Sequence, residues 1–268
     1  FEELNALDGE GFSAIVKKYN IDTIFNLVAL LSATGEKNPK LAWDINIGAL
    51  TNSLYIAKDN NCAVFTPSSI GAFGNDTPKD KTPQDTLQRS NTTIYGVCKV
   101  TGELLSDYYF NRFGVDTRSV RFPGLISYVT LPGGGTTDYA VEIYYDAIRR
   151  GAFTCNVKAG TYMDMMYMPD ALNAVVQLME ADPSRLKHRN SFNIAASFEP
   201  GQIAAEIRKH LPDFKMDYQI DPVKQAIADS WPNSMDDSCA REEWGWKPEY
   251  NLQNMTVDML VKVKEKFD

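Results

Sequence analysis

Short apolar runs alternate with segments of helical period through the first half of this chain, and that alternation restricts its fold more than any other feature. Thr23-Ile-Phe-Asn-Leu-Val28 has the near-continuous apolar character of a strand covered on both faces. Cys62–Pro67 and Thr117–Phe122 read the same way. Between these runs, Gly11–Tyr19 places Phe12, Ile15, Val16 and Tyr19 at helical spacing. Asn38–Lys58 does so with Trp43, Ile47, Leu50 and Leu54, and Thr92–Phe113 carries Tyr95, Lys99, Leu104, Leu105 and Tyr108. Strand–helix–strand order of this kind predicts an α/β fold, a doubly wound parallel sheet with helices on both faces.

The texture changes after Leu131. Residues 132–137, Pro-Gly-Gly-Gly-Thr-Thr, read as a loop, and Tyr139–Arg149 as a helix. Met165–Met168 is a predicted strand, followed by a helix over Pro169–Met179 with proline in its first turn. Phe192–Ala195 reads as a strand, Pro200–His210 as a helix, Trp231–Tyr250 as an aromatic loop and Thr256–Lys266 as a last helix. The expected organisation is a sheet domain over 1–127 and 162–195, with a smaller C-terminal lobe over 128–161 and 196–268.

Charge and sulfur narrow the function. A formal net charge of −8 opposes binding to nucleic acid or anionic membrane, and no apolar stretch is long enough to span a bilayer. Cys62, Cys98, Cys155 and Cys239 stand far apart, which fits a reduced, intracellular protein. The only histidines are His188 and His210; with no HxxH, HExxH or clustered cysteines, no metal is expected, and a Ser-His-Asp hydrolase finds no support.

The chemical signal is Tyr95-Gly-Val-Cys-Lys99, read together with Pro67-Ser68-Ser69 upstream. Positions four apart share a helix face, so Lys99 lies one turn beyond Tyr95. An ammonium held close to a phenol favours the phenolate, which can then act as a general base. Ser68 and Ser69 end a predicted strand at the carboxyl edge, where open α/β sheets bind ligands. A hydroxyl there can hold a substrate alcohol while Tyr95 takes its proton. A YxxxK pair alone occurs by chance on exposed helices; its pairing with strand-Ser-Ser-xxx-Phe-Gly is what points to catalysis.

These residues carry a resemblance. The chain resembles the extended short-chain dehydrogenases/reductases, and within them the L-threonine 3-dehydrogenase type related to UDP-galactose 4-epimerase. The matching stretches are Ala29–Glu36, Pro67–Gly74, Thr93–Lys99, Arg121–Ser127, Leu131–Ala140, Met165–Asp170 and Ser230–Asp237. The Gly-Gly-Gly-Thr-Thr-Asp-Tyr and Ser-Trp-Pro stretches are the most specific. The resemblance implies a Rossmann-like fold, NAD as cofactor, L-threonine as substrate, and a homodimer formed through the 38–58 and 92–113 helices. It implies Tyr95 as base, Lys99 as its tuner and ribose contact, and Ser69 as the hydroxyl on the reacting oxygen, with Ser68 the neighbour that competes for that role. Ser32, Thr136, Thr137 and Trp231 fall where the substrate is held, Leu125 where the nicotinamide carboxamide is met, and Asn5 and Ala6 where adenine is met. The compartment would be cytoplasmic in a bacterium and mitochondrial in a eukaryote.

Structural readings compete at several of these positions. Ser32 also suits the start of a loop, and Trp231 a core site. Gly133–Gly135 suits a hinge better than a phosphate cradle, which needs a helix dipole behind it. Trp244 and Trp246 read as core, and Asp170 as a partner of its helix terminus. No Gly-x-x-Gly-x-x-Gly occurs anywhere, although a Rossmann-like site uses that turn to approach the pyrophosphate. Phe1 reads as the end of a third strand, so two strands and a helix, on the order of 50 residues, are expected to precede it. The other reading is a chain that has lost NAD binding. Two rival functions remain: a nucleotide-sugar epimerase, dehydratase or reductase of the same family, and a non-catalytic NAD sensor, which would have no use for the Tyr95, Lys99 and serine set.

Overall fold

The computed structural model describes every residue except Arg89, Gly134, Ala196 and Asp268. The chain runs α1 (Gly9–Tyr19), β1 (Thr23–Phe25), α2 (Ser32–Lys37), α3 (Pro39–Asn60), β2 (Ala63–Phe65) and β3 (Ser68–Ser69). A 3-10 turn over Ile70–Ala72 leads toward α4 (Ile94–Phe113), then β4 (Thr117–Arg118), β5 (Val120–Phe122) and β6 (Gly124–Ile126). Next come α5 (Tyr139–Arg150), β7 (Ala152–Cys155), β8 (Met163–Tyr167), α6 (Met168–Glu180), β9 (Phe192–Asn193) and β10 (Ser197–Phe198). The chain closes with α7 (Pro200–His210), β11 (Lys215–Tyr218), α8 (Pro222–Ser230), α9 (Ser238–Trp244) and α10 (Leu252–Lys264).

The main sheet is parallel, as expected. β1 pairs with β2 and β2 with β4; beyond them β3 pairs with β5 and β5 with β9. Val64 opposite Thr117, Phe65 opposite Arg118, Ser68 opposite Arg121 and Ser69 opposite Phe122 share one register, so β2 and β3 are one path interrupted at Thr66–Pro67. Proline has no N–H to give a ladder, and the break leaves its carbonyl free for another donor. Both faces are covered. Val64 packs with Val16, Ile24, Leu50, Leu54 and Tyr109, whereas its neighbour Phe65 packs with Val120, Ala171, Leu178 and Trp244 on the other side. Strand alternation puts successive side chains on opposite faces, so one covered sheet supplies two cores.

A third core lies over α5, α7 and α10 and includes Tyr139, Ile143, Tyr144, Met163, Ile207 and Met259. Around it, β6 runs parallel to β8, β10 antiparallel to β8, and β11 parallel to β7.

Several boundaries differ from expectation. The first strand stops at Phe25, and Phe25, Leu27 and Val28 are exposed. The stretch from Trp231 to Tyr250 is not all loop, since it contains α9, and the last helix starts at Leu252, where Asn251 and Asn254 form a reciprocal cap. β7 and β11 had no visible sequence signal; each is four residues long and they satisfy each other. Trp244 and Trp246 are buried, with ring centroids 5.8 Å apart, as a core pair should be. Asp170 lies in the first turn of α6 and accepts the Glu249 and Tyr250 amides at 2.9 and 3.0 Å, a structural role. No helix among the described residues is long and apolar enough to cross a membrane.

Candidate functional site

A cleft enclosing about 660 Å³ opens at the carboxyl ends of β1, β3 and β5. Ser69 reaches it from the tip of β3. Its hydroxyl oxygen accepts the Gly71 amide at 3.1 Å and caps the 3-10 turn, which leaves the hydroxyl proton free to donate. Ser68 also lines the cleft, but its hydroxyl donates to the buried Glu103 carboxylate. Glu103 is itself paired with Arg121 at 2.9 Å, both side chains being about 5 % exposed. Ser68 is thereby committed to the interior, and Ser69 is the serine with a free donor.

Tyr95 and Lys99 come from the first two turns of α4. The Thr93 hydroxyl accepts the Gly96 amide at 3.0 Å and starts this helix at Ile94. The Tyr95 ring lies against Gly71: a Cβ on that glycine would stand 3.3 Å from Cδ1 and Cε1 of the ring and 3.5 Å from Ser69 Oγ. The phenol and the serine therefore meet over one glycine. Gly96 permits the helix to come that close, because a Cβ there would fall 2.4 Å from the Gly71 carbonyl and 1.9 Å from Ser90 Oγ. Lys99 Nζ sits 5.2 Å from the centroid of the Tyr95 ring and donates to the Pro67 carbonyl at 2.6 Å. The break in the β2–β3 path thus supplies the acceptor that holds the ammonium beside the tyrosine.

The opposite wall comes from the C-terminal half. Thr136 and Thr137 precede α5, and Trp231 follows α8; all three line the cleft. The Thr136 hydroxyl is buried and has no protein partner. Trp231 is 7 % exposed, so it is both packed and part of the wall, which unites the two readings of its sequence position. Lys79 fixes its backbone: Nζ donates to the carbonyls of Asp229 and Trp231 at 2.7 and 2.9 Å. Burial pushes the Lys79 ammonium below its usual range, against the pull of Asp229. The same loop accepts the Asn233 and Ser234 amides on the Lys79 carbonyl, and Thr82 bridges to Met235. Residues 79–82 therefore strap the Trp231 segment to the loop that follows Ser69.

Ser32 and Leu125 also line the cleft, Ser32 at the start of α2 and Leu125 in β6. Ser32 thus begins a helix rather than a loop. Gly135 lines the cleft too, its amide donating to Asp138 at 2.6 Å, while Gly134 lies outside the described residues. Asn5 and Ala6 stand elsewhere. The Asn5 side chain accepts the Leu7 amide at 3.0 Å, and the Ala6 carbonyl accepts from Asn52 of α3 at 2.9 Å, in the turn before α1. Sequence reasoning missed Lys79, Gly71, Gly96 and Pro67 as positioning residues. The adjacency of Pro67 to Ser68-Ser69 and of Gly96 to Tyr95 was the available signal; Lys79 had none. Phe25, Leu27, Leu31, Phe122, Val175 and Val176 give the cleft an apolar floor.

Known proteins of this shape are numerous. An uncharacterised epimerase/dehydratase of Staphylococcus haemolyticus is 58% identical over 267 residues, covering 99% of this chain and 84% of that protein. The crystal structure of L-threonine dehydrogenase from Clostridium difficile superposes with a TM-score of 0.98 at 58% identity, over 99% of this chain and 83% of that one. L-threonine dehydrogenase from Phytophthora infestans superposes with a TM-score of 0.97 at 47% identity, over 99% and 86%. A family model described as the NAD dependent epimerase/dehydratase family matches residues 1–195, and the chain belongs to that family.

Proposed function

We propose that the protein oxidises the C3 hydroxyl of L-threonine, giving 2-amino-3-oxobutanoate, NADH and a proton from L-threonine and NAD. The observation that carries this reading is the convergence of Ser69, Tyr95 and Lys99 with Thr136, Thr137 and Trp231 in one cleft. The likeness to two L-threonine dehydrogenases, at 58% and 47% identity, supports it.

The residues fit the reactive end of the cofactor. Phe25, Leu27, Leu125 and Val176 offer apolar walls to a flat ring, the Lys99 ammonium offers donors to the ribose hydroxyls, and the Tyr95 side chain lies beside them. NAD supplies the hydride acceptor. Tyr95, as phenolate, takes the proton from the C3 hydroxyl, and Ser69 donates a hydrogen bond to the same oxygen. Lys99, held by the Pro67 carbonyl, stabilises the phenolate electrostatically. Ser32, Thr136 and Thr137 hold the amino and carboxylate ends, and Trp231 closes over them, which fixes C3 in place. Asn5 and Ala6 are assigned to the adenine end. In this division 1–127 and 162–195 bind NAD, and 128–161 and 196–268 form the substrate lobe.

A nucleotide-sugar substrate would need cations for its diphosphate. The 212–250 stretch carries Lys215, Lys224, Arg241 and Lys247, and Arg241 is already paired with Asp237 at 2.7 Å. A homodimer through α3 and α4 is part of the proposal, supported by the exposed Trp43, Tyr55, Leu104 and Tyr108 on those helices. An intracellular compartment suits the four free cysteines.

NADH formation followed by absorbance, with L-threonine set against a panel of alcohols, tests the reading, and calorimetry tests binding of UDP-sugars, whose epimerisation would release no net NADH. Turnover should be greatest with L-threonine, and no UDP-sugar should bind. Tight binding of a UDP-sugar with no NADH formed from threonine would replace the reading with the epimerase alternative.

A further inference from the structure

Near the amino end of β9, donor groups from two distant stretches converge. A ring nitrogen of His188, the thiol of Cys239 and a carboxylate oxygen of Glu243 lie within 4.8 Å of one another. Cys239 and Glu243 are four residues apart on α9 and so share a face. His188 comes from the loop that leads into β9. We propose that this cluster binds a single divalent cation of the zinc class through His188 Nδ1, Cys239 Sγ and Glu243 Oε1, with a fourth position open to water or an added ligand.

Three properties support the assignment. The first is spacing. Tetrahedral ligands at zinc distances stand about 3.3–3.8 Å apart, so donors already gathered within 4.8 Å need only small side-chain rotations. The second is donor type. A thiol with an imidazole and a carboxylate is a borderline-soft set that selects zinc or a similar transition metal over magnesium and calcium, which take oxygen ligands.

The third is the surrounding support. Metal-binding histidines commonly give their other ring nitrogen to a carboxylate, and metal-binding carboxylates are themselves hydrogen-bonded. Asp85 stands 3.2 Å from His188 Nε2, which orients the ring. The second oxygen of Glu243 accepts the Lys187 and His188 amides at 2.6 and 3.1 Å. In the metal-free arrangement His188 Nδ1 bonds directly to Glu243 Oε1, so the cation takes the place of that hydrogen bond, and the thiol loses its own proton on binding. Glu243 is buried, and the Phe192 ring meets the rings of His188 and Trp244 edge-on, so the site is partly shielded from water. His188, Cys239 and Glu243 do not line the cleft that holds Ser69, Tyr95 and Lys99, and this site is separate from it.

The test is zinc uptake by the full chain, stripped with a chelator and titrated against a chromophoric chelator. The expected result is one zinc per chain, with Cys239→Ser weakening binding at least tenfold and leaving turnover and the metal-free melting temperature unchanged. Cobalt(II) gives a second readout: a thiolate-to-metal charge-transfer band that Cys239→Ser abolishes. Absence of stoichiometric uptake, or uptake and a cobalt band that persist in Cys239→Ser, overturns the proposal.

Discussion

On the sheet side of the cleft, the reactive groups are fixed by steric contact; on the lobe side, the wall is fixed by hydrogen bonds. Tyr95 and Ser69 meet over Gly71, and Gly96 brings the α4 backbone onto the Gly71 carbonyl. A Cβ at Gly96 would not fit there, so the proposed base and the serine share one frame. Trp231 instead depends on Lys79, whose ammonium spans two carbonyls, and on the amides that join residues 233–236 to 79–82. On the proposed reading, the chemistry would rest on close packing, and the substrate wall on polar links that can loosen without collapse. Changes on the sheet side should lower kcat. Changes on the lobe side should raise KM for the amino acid.

The largest effect should come from Tyr95→Phe. Removing a general base costs on the order of 10²–10⁴-fold in kcat. NADH affinity, followed by fluorescence, should stay near wild type, because the ring and Lys99 remain. A variant that kept wild-type kcat would remove Tyr95 from the chemistry and dissolve the comparison.

Gly96→Ala should come next. Its Cβ meets the Gly71 carbonyl and Ser90 Oγ well inside contact distance. Overpacking of this kind costs about 1–3 kcal/mol of stability, and the displaced helix start should carry Tyr95 away from Ser69. A melt and a kcat measurement should fall together. A lower melting temperature with unchanged kcat would mean that the frame does not set the catalytic geometry.

On the other wall, Lys79→Met keeps the aliphatic stem and deletes the ammonium. Hydrogen bonds to a charged group are worth about 1.5–3 kcal/mol each, and part of that should reappear as a rise in KM for L-threonine of roughly tenfold. Lys79→Arg should recover most of it, while kcat at saturation changes little. A fall in kcat with KM unchanged would place the strap on the sheet side of the comparison. Thr136→Val is smaller and sharper. The hydroxyl is buried without a protein partner, so its loss should leave stability equal or improved. If that hydroxyl serves the substrate, KM should rise by the value of one hydrogen bond, about 0.5–1.5 kcal/mol. An unchanged KM would remove Thr136 from the substrate wall.

The two walls were also unequally legible in the sequence. Tyr95 and Lys99 could be placed together because helical spacing fixes which side chains share a face, and the Ser68-Ser69 pair because it ends a strand. The parallel sheet followed from the apolar runs. Lys79 and the β7–β11 pair could not be placed, because their partners are set by contacts between segments far apart in sequence. Thr136, Thr137 and Trp231 were found by resemblance alone; no periodicity marks a loop residue as facing a cleft. The choice between Ser68 and Ser69 needed coordinates, since only the Glu103–Arg121 pair, one from α4 and one from β5, shows which hydroxyl is already engaged.

The smallest expected effect lies on neither wall and serves as their control. His188 is held above the usual histidine range: burial opposes the imidazolium, but the Glu243 and Asp85 carboxylates beside it outweigh that. A group whose folded-state pKa is raised stabilises the fold below its unfolded value, and that contribution disappears as pH rises through the folded value. In the presence of a chelator, wild type should therefore exceed His188→Gln in stability most clearly at mildly acidic pH. The gap, on the order of 1 kcal/mol or less for a partly exposed pair, should close as pH climbs past the usual histidine range. Since this contact touches neither Tyr95 nor Trp231, kcat and KM should both hold across the same pH series when compared with wild type. A shift in either would mean that the amino end of β9 is coupled to the cleft, and the division between a packed wall and a strapped wall would have to include a third support.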